Sequence, residues 1–276
     1  MINNTVDIKR FGDVGYVTFP KLSAARGVRH IFSTRLGGVS AGERGSMNLS
    51  FRNGDSRENV EENYRRLCAA AHIDVSHLVL SRQTHTNNVL TVTKADCGAG
   101  YSKPELCDID GLVTGEPGVA LVTQYADCVP LLFYDPVARV CANSHSGWRG
   151  TALKIGAVTV EKMVREFGCR AENIIAAVGP CICKNCYEVD LAVYNAFKDA
   201  GFDGGFMRSV FVPKADGVHF LLDLGEANRL ILCEAGINPE NIDVARLCTA
   251  ENSELMHSHR ATAGKRGNLA AIIEMY

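Results

Sequence analysis

Three short apolar segments in the middle of the chain constrain the fold more than any other feature. They are Val119 to Thr123, Leu131 to Tyr134 and Val140 to Ser144, and the turn residues Asp135 and Pro136 separate the second from the third. Segments of this length, rich in branched and aromatic residues and bounded by turns, are typical of buried β-strands. We therefore expect a sheet at the centre of the molecule.

Segments with helical spacing of apolar residues alternate with these strands. After the turn at Gly54–Ser56, a one-sided apolar stripe predicts a helix that Asp55 or Ser56 caps. A second helix is expected over residues 151–167. Its stripe consists of Leu153, Ala157, Val160 and Val164. Further elements are expected as strands at 77–81, 89–92, 174–178, 220–224 and around 244, as helices at about 191–200 and 226–233, and as an apolar segment at 269–273.

The connections between these elements predict the class of fold. Some strands meet at short turns and others are separated by helices, which favours a mixed sheet over a purely parallel one. No linker, repeat or low-complexity stretch interrupts the series. We therefore expect an α+β fold in a single compact domain over residues 1–276, with about residues 1–29 as the N-terminal part of that domain.

Charge and hydropathy exclude two classes of partner. The chain has 29 Lys and Arg against 31 Asp and Glu, a formal charge of −2, and no basic stripe, so a nucleic-acid partner is not expected. No stretch approaches the roughly 18 apolar residues of a membrane-spanning helix. The N-terminal residues lack the layout of a secretory signal. The sequence does not decide between a monomer and a homodimer.

The cysteines indicate the redox compartment. There are eleven, an odd number, and several lie inside apolar runs, which is typical of packed, reduced thiols in the cytoplasm. The cluster Cys183-Lys184-Asn185-Cys186, preceded by Cys181, could suit a metal or a disulfide. A four-thiolate zinc site would need a second cysteine pair at a suitable distance, and the sequence has none. Packing is therefore the favoured interpretation of this cluster.

Three other residues have side chains suited to a metal. His85, Cys128 and His145 each lie among polar or small residues where a strand ends or a turn begins. Two imidazoles and a thiolate are ligands that zinc prefers, and three protein ligands leave a fourth position for water or substrate. The separations of 43 and 17 residues, from 128−85 and 145−128, match no compact zinc motif. From spacing alone, packed or hydrogen-bonded side chains are the favoured interpretation, and a metal site is the alternative.

The order of the short motifs along the chain indicates a family. The motifs are Thr34-Arg35-Leu36-Gly37-Gly38-Val39-Ser40, Met47-Asn48-Leu49, Gln83-Thr84-His85, Asp110-Gly111-Leu112-Val113-Thr114, Ala126-Asp127-Cys128-Val129-Pro130, His145-Ser146-Gly147-Trp148-Arg149-Gly150-Thr151, Gly179-Pro180-Cys181-Ile182, Tyr187-Glu188-Val189, Cys248-Thr249 and Ser258-His259-Arg260. This series resembles the YfiH family, also called the laccase-domain or multicopper polyphenol oxidase family. The resemblance covers roughly residues 30 to 275.

The resemblance implies a metal site and an activity. It implies a single zinc ion bound by His85, Cys128 and His145, which would also be the catalytic residues, with copper as the alternative metal. It implies an α+β fold with mixed β-sheets layered between helices, of the kind named for YfiH-like cysteine hydrolases. Proteins of this family cleave adenosine, inosine and methylthioadenosine with phosphate to the free base and ribose 1-phosphate, and they deaminate adenosine to inosine. Purine nucleosides and phosphate are thus the expected partners.

Three residues are the sequence-based candidates for substrate contacts. Arg149 precedes a predicted helix, and its guanidinium offers paired donors for phosphate, although arginines serve equally often in salt bridges. Asn48 lies in the family-like Met-Asn-Leu segment and His259 in the Ser-His-Arg segment. Trp148, the sole tryptophan, could stack on a base or simply anchor the packing.

Three alternative functions stay open. A copper polyphenol oxidase would need many imidazole ligands in defined clusters, and the chain has eight His in all. A cysteine hydrolase, for example one that edits a peptidoglycan precursor, would use Cys128 as nucleophile and His145 as base. A metal-stabilised binding module would have no activity.

Overall fold

The computed structural model describes residues 6–276, whose helices and strands alternate along the chain. The strands are β1 (Asp7–Phe11), β2 (Val14–Thr18), β3 (Val28–Ser33), β4 (Leu78–Arg82), β5 (Val89–Thr91), β6 (Leu106–Cys107), β7 (Gly111–Thr114), β8 (Ala120–Tyr125), β9 (Val129–Asp135), β10 (Val140–Ser146), β11 (Ile175–Val178), β12 (Glu188–Asp190), β13 (Phe211–Pro213), β14 (His219–Leu222), β15 (Ile242–Val244) and β16 (Leu269–Met275). The helices are α1 (Pro20–Ala24), α2 (Arg57–Ala71), α3 (Trp148–Ala152), α4 (Ile155–Phe167), α5 (Leu191–Asp199), α6 (Gly204–Val210) and α7 (Leu224–Glu234).

The strands form two large sheets and one small one. The first sheet has the order β1-β2-β3-β16-β8-β4-β6, the second β15-β11-β9-β10-β7-β5, and the small sheet β12-β14-β13. Most neighbours are antiparallel, but β4 is parallel to both β8 and β6, β5 to β7, and β11 to β15. The predicted mixed α+β architecture is confirmed.

The two large sheets pack face to face, and helices cover their outer faces. Along β9, Leu131 and Phe133 point to the helices, whereas Leu132 and Tyr134 join the apolar layer between the sheets. This alternation follows from the two-residue period of a strand. Both faces of β9 are therefore buried, which explains why its sequence is apolar from Val129 to Tyr134.

Helix α2 covers the first sheet and agrees with its prediction. Ser56 accepts a hydrogen bond from the backbone N–H of Asn59, the usual arrangement at a helix N-terminus. Tyr64 and Leu67 are buried against strands of this sheet. None of the helices in residues 6–276 combines the length and the apolar character that crossing a membrane requires.

The helix predicted over residues 151–167 is two helices instead. Lys154 adopts a left-handed conformation with φ of 55°, which a right-handed helix cannot continue through, so α3 ends before it and α4 begins after it. The break also changes which side of the helix faces the interior, relative to the predicted stripe. Val160 and Met163 are buried, while Leu153 is 49% exposed and Val164 is 41% exposed, so the predicted stripe was wrong at Leu153 and at Val164.

Candidate metal centre

A β-hairpin brings two of the three predicted ligands together. Strands β9 and β10 are antiparallel, and their register pairs His145 with Pro130 and Ser146 with Val129. Cys128 directly precedes β9 and therefore lies at the same end of the hairpin as His145. Asp127, with φ of 85°, makes the turn into β9.

The third ligand comes from the loop after β4. His85 has a left-handed backbone with φ of 67°, an uncommon conformation for a non-glycine residue. Three successive amides of this loop, those of Thr84, His85 and Thr86, donate to one carboxylate, that of Asp110, at 3.0, 3.1 and 2.9 Å. These bonds hold the loop in the strained conformation that turns His85 towards the hairpin.

The donor atoms of His85, Cys128 and His145 lie within 4.8 Å of one another. The two imidazole rings have centroids 5.0 Å apart and are nearly perpendicular. His145 is buried, Cys128 is half-buried and His85 is exposed, so one side of the cluster faces solvent. A Cβ at Gly147 would lie 3.1 Å from the sulfur of Cys128 and 2.8 Å from Cδ2 of His85. The glycine thus leaves the space that this cluster occupies.

Asp110 is the residue that organises this cluster. It is fully buried, and besides the three amides it accepts from the hydroxyl of Thr86 at 3.0 Å and faces Nδ1 of His145 at 2.8 Å. An ionised carboxylate accepts only, so Nδ1 of His145 carries the proton and Nε2 is left for a metal. Asp110 lies in the Asp-Gly-Leu-Val-Thr motif, but it had no predicted role; a carboxylate at the start of a buried strand was the available signal.

The charged forms of Cys128 and His145 stabilise each other. Burial alone would raise the pKa of the Cys128 thiol, but the charge and hydrogen bonds of His145 and His85 lower it to about 6. Burial opposes protonation of His145, but the charge of Cys128 and the hydrogen bond to Asp110 raise its pKa to about 9. The thiol is therefore readily available as the thiolate that metals bind.

The cluster lies in a cavity of about 520 Å³, within the usual range for small-molecule sites. The residues that line it are Ser50, Arg52, Gln83, His85, Gln124, Ala126, Asp127, Cys128, His145, Trp148, Ile182, Tyr187, His259, Arg260, Arg266 and Asn268. Three arginines and two large aromatic rings thus surround the three predicted ligands.

The predicted substrate contacts fall in different places. His259 lines the cavity. Asn48 is fully buried and does not line it; its side chain contacts Asp55 at 2.9 Å and accepts from the amide of Asn268 at 3.0 Å. Arg149 is exposed outside the lining, with its guanidinium stacked 4.2 Å from the ring centroid of Trp148. The structure therefore places His259 at the cavity but neither Asn48 nor Arg149.

Arg266 is a cavity residue that the sequence analysis did not select. Its Nε is buried and has no hydrogen-bond partner, and its other nitrogens face the carbonyl of Gly267 and the side chains of Asn268 and His259. Within residues 6–276 no carboxylate forms an ion pair with it. Burial lowers its pKa, and the charges of Asp127 and Cys128 offset that effect only in part.

Asp127 contributes to the wall of the cavity. One carboxylate oxygen accepts from the hydroxyl of Thr249 at 2.6 Å, and the other accepts from the amide of Arg260 at 2.7 Å. Since both oxygens are engaged in holding neighbouring loops, this side chain is built to position the wall rather than to move protons.

Known proteins resemble this chain in sequence and in fold. The family model described as multi-copper polyphenol oxidoreductase laccase matches residues 29–276. Purine nucleoside phosphorylase YlmD of Bacillus subtilis is 35% identical over 246 residues, which cover 88% of this chain and 87% of that protein. Adenosine deaminase RL5, from an unknown prokaryotic organism, is 34% identical over 240 residues, which cover 84% and 89%. Both names denote enzymes, which supports an enzymatic role for this chain.

The similarity extends to a solved structure. The crystal structure of the hypothetical protein YfiH of Bacillus licheniformis superposes with a TM-score of 0.91 at 31% identity, over 98% of this chain and 99% of that one. The family that the motifs indicated is thus confirmed by sequence and by fold. The chain belongs to the YfiH-type, multi-copper polyphenol oxidoreductase laccase family.

Proposed function

We propose that the protein is a zinc-dependent purine nucleoside phosphorylase that also deaminates adenosine. The observation that carries the proposal is the convergence of His85, Cys128 and His145 in a cavity that also contains Arg266, which forms no ion pair among residues 6–276. In phosphorolysis, phosphate replaces the base at the ribose and the products are free base and ribose 1-phosphate. In deamination, adenosine and water give inosine and ammonia.

His85, Cys128 and His145 would hold the metal. Two nitrogens and a sulfur suit zinc, and the exposed side of the cluster leaves a position for water or substrate. A bound zinc ion supplies a Lewis acid that polarises oxygen and makes water more acidic. Asp110 fixes the tautomer of His145 and the path of the His85 loop, so the ligands are oriented before substrate arrives.

Arg266 is our preferred phosphate contact. A guanidinium offers paired donors that match a phosphate, and such bonds are strongest away from water. Arg266 has a free Nε and lies at the same cavity as the three ligands. Arg149, the candidate from sequence, is exposed and stacked on Trp148.

Aromatic side chains provide surfaces for the purine. Tyr187 and Trp148 both line the cavity, and arginines cover one face of each, Arg260 at 5.2 Å from the ring centroid of Tyr187 and Arg149 at 4.2 Å from that of Trp148. The remaining ring surfaces can pack against a flat base, and cation–π contact on the opposite face holds each ring in place.

The proposed activity has a direct assay. Zinc-loaded protein incubated with adenosine and phosphate should release adenine and ribose 1-phosphate, and incubation without phosphate should yield inosine and ammonia only. Chromatography of the bases, with a panel of adenosine, inosine and methylthioadenosine, measures both reactions. Absence of turnover on all three nucleosides with metal-loaded enzyme would contradict the proposal.

Removing the cavity guanidinium should weaken phosphate binding selectively. For Arg266→Gln we expect the KM for phosphate to rise by about tenfold to a hundredfold, because a charge-assisted hydrogen bond contributes about 1.5 to 3 kcal/mol. The rate of deamination, which uses no phosphate, should change much less. Steady-state kinetics of the two reactions on one preparation separate these effects.

Two further variants complete that experiment. Arg165→Gln changes an exposed arginine of α4 that pairs with Glu161 at 3.2 Å, and it should leave both reactions unchanged. Arg149→Gln tests the sequence-based assignment. If Arg149→Gln raises the KM for phosphate more than Arg266→Gln does, phosphate binds outside the cavity lining and our placement is wrong.

One observation favours a second candidate, a cysteine hydrolase. The lowered pKa of Cys128 and the raised pKa of His145 describe a thiolate beside an imidazolium, which is also the resting state of a nucleophilic cysteine. The two functions differ in their need for metal. Protein without metal should be inactive in the first case and active in the second.

A further inference from the structure

A second group of metal-ligand side chains lies outside the cavity just described. The sulfurs of Cys183, Cys186 and Cys248 and a carboxylate oxygen of Glu251 lie within 4.8 Å of one another. From the sequence, Cys183 and Cys186 are expected to be packing residues, because no second cysteine pair lies at a suitable distance. The fold supplies the missing ligands from 65 residues further along the chain.

The backbone explains how these residues meet. Cys183 directly precedes a single turn of 3-10 helix at Lys184–Cys186, and Cys186 is the last residue of that turn. A parallel bridge pairs Cys181 with Cys248, and the amide of Thr249 donates to the carbonyl of Cys181 at 3.1 Å. Cys248 is therefore fixed beside the Cys-x-x-Cys turn, and Glu251 follows three residues later.

Hydrogen bonds within the group trace the shape of a coordination site. The thiols of Cys183 and Cys186 both donate to Oε1 of Glu251, at 3.5 and 3.6 Å. The amide of Cys183 donates to the sulfur of Cys248 at 3.3 Å. Oε1 of Glu251 thus accepts hydrogen bonds from two thiols. A cation bound at this point would replace the two thiol protons.

The donor set identifies the class of ion. Three thiolates and one carboxylate are four protein ligands, the number found in closed structural zinc sites. Soft sulfur ligands select zinc over magnesium or calcium, which prefer oxygen. Binding converts three thiols into thiolates, releases three protons and leaves a net charge of −2 for the ion with its four ligands.

Positively charged groups lie close enough to offset that charge. Lys184 lies within the turn between the two cysteines. The guanidinium of Arg260 donates to the carbonyl of Cys186 at 3.3 Å. Arg246 lines the same surface depression as Cys183 and Glu251.

A disulfide explains the group less well than a metal. All eleven cysteines are free thiols in this structure. A bond between Cys183 and Cys186 would use two sulfurs and leave Cys248 and the shared carboxylate of Glu251 without a function. A metal uses all four side chains.

The group also joins the wall of the catalytic cavity. Ile182 and Tyr187, which bracket the Cys-x-x-Cys turn, both line that cavity. The amide of Ile182 donates to the carbonyl of Asp127 at 3.0 Å, next to Cys128. An ion bound at the turn would therefore stiffen the wall that carries Tyr187.

We propose that Cys183, Cys186, Cys248 and Glu251 form a second metal site, which binds zinc and holds the cavity wall in place. The ion has no open position for substrate, so its function is structural. The site is independent of His85, Cys128 and His145.

Metal content and cobalt spectroscopy of the full-length protein test this proposal. Protein purified with a reducing agent should contain about two zinc ions per chain by plasma mass spectrometry, and the double variant Cys183→Ser, Cys186→Ser should contain about half as much. Cys97→Ser is the matched control, because its half-buried thiol belongs to neither group of candidate metal ligands; it should keep the full content.

A second variant tests the thiol cluster without relying on the folding of the double variant or on the proposed activity. The triple variant His85→Ala, Cys128→Ser, His145→Ala leaves the thiol cluster intact and should still bind one ion per chain. Loaded with cobalt, it should show the strong near-ultraviolet charge-transfer absorption of several thiolates and the visible bands of tetrahedral cobalt. Chelation should lower its melting temperature.

Three results would overturn the second site. They are one zinc in the wild-type protein and none in the triple variant, cobalt absorption without thiolate character, and loss of two of the eleven thiols to a disulfide in protein handled under reducing conditions. A failure of nucleoside turnover with these metal results intact would refute the proposed function and leave the second site standing.

Discussion

Replacing Cys128 by serine should lower kcat/KM for phosphorolysis of adenosine by at least about a thousandfold. A metal ion with the proposed catalytic role would contribute several kcal/mol of transition-state stabilisation, and each 1.4 kcal/mol corresponds to about a factor of ten. A serine hydroxyl stays protonated, so it supplies neither the charge nor the sulfur that the thiolate of Cys128 brings to the cluster. Kinetics on nucleosides and metal analysis of the same preparation should show the loss of activity together with the loss of one ion.

The wild-type protein stripped of metal separates the two candidate functions. A metal-dependent phosphorylase should lose its activity on chelation and regain it when zinc is returned, with Cys128 unchanged throughout. A cysteine hydrolase should stay active without metal and be inactivated by thiol alkylation. Cys97→Ser again serves as the control for general effects of losing a thiol. Full activity of Cys128→Ser with its metal content unchanged would exclude both functions of this residue.

Replacing Asp110 by asparagine should weaken metal binding by about tenfold to a hundredfold and destabilise the fold. Groups that orient metal ligands typically have effects of this size on affinity. Five donors point at this buried carboxylate, and the amide nitrogen of asparagine would face some of them. Breaking a buried charged network costs about 3 to 5 kcal/mol. Denaturant unfolding and competition for zinc with a chelator of known affinity measure the two effects.

The pH dependence of unfolding gives an independent check on Asp110. Burial would raise its pKa, but the hydrogen bond and charge of His145 and the amides of Thr86 and Thr84 lower it from 3.8 to about 2. Because the pKa is lower in the folded state, the stabilisation is fully present above about pH 4 and is lost as the pH falls towards 2, by about 2 kcal/mol in the metal-free protein. The Asn variant lacks this carboxyl, so its stability should decline less over the same interval.

Asp108→Asn is the matched control for Asp110→Asn. Asp108 lies two residues away on the same loop, is exposed, and has φ of 60°, a backbone conformation that asparagine tolerates well. It should change the free energy of unfolding by less than about 1 kcal/mol. Equal destabilisation by both variants would mean that the loop, and not the carboxylate of Asp110, carries the effect.

Local patterns predicted most elements because burial and period decide them. The strands at 131–134 and 140–144 are buried because helices cover one face of their sheet and the other large sheet covers the second. The strand order was beyond reach, since β16 from the C-terminus lies between β3 and β8, a long-range pairing that no local signal specifies. Helix α6 (Gly204–Val210) was also missed, because its two leading glycines read as a turn.

Simple strand topology predicts part of the candidate site from the sequence. The turn at Asp135-Pro136 predicts an antiparallel hairpin, and pairing its strands outward from that turn brings Cys128 close to His145. No such pairing locates His85, whose position depends on the carboxylate of Asp110 from a different part of the chain. The assignment of about residues 1–29 to the N-terminal part of the same domain stays a prediction, because residues 1–5 lie outside the described range.

The hairpin of β9 and β10 offers a convenient site for chemical labelling of the protein. Its turn lies at the opposite end from Cys128 and His145, roughly 20 Å away at about 3.3 Å per strand residue, and Val137 there is 75% exposed. A fluorophore, an affinity tag or a surface linker attached at Val137 would project into solvent from the end of a rigid ribbon. Reporters of turnover or immobilised forms of the enzyme can therefore be built there without entering the cavity.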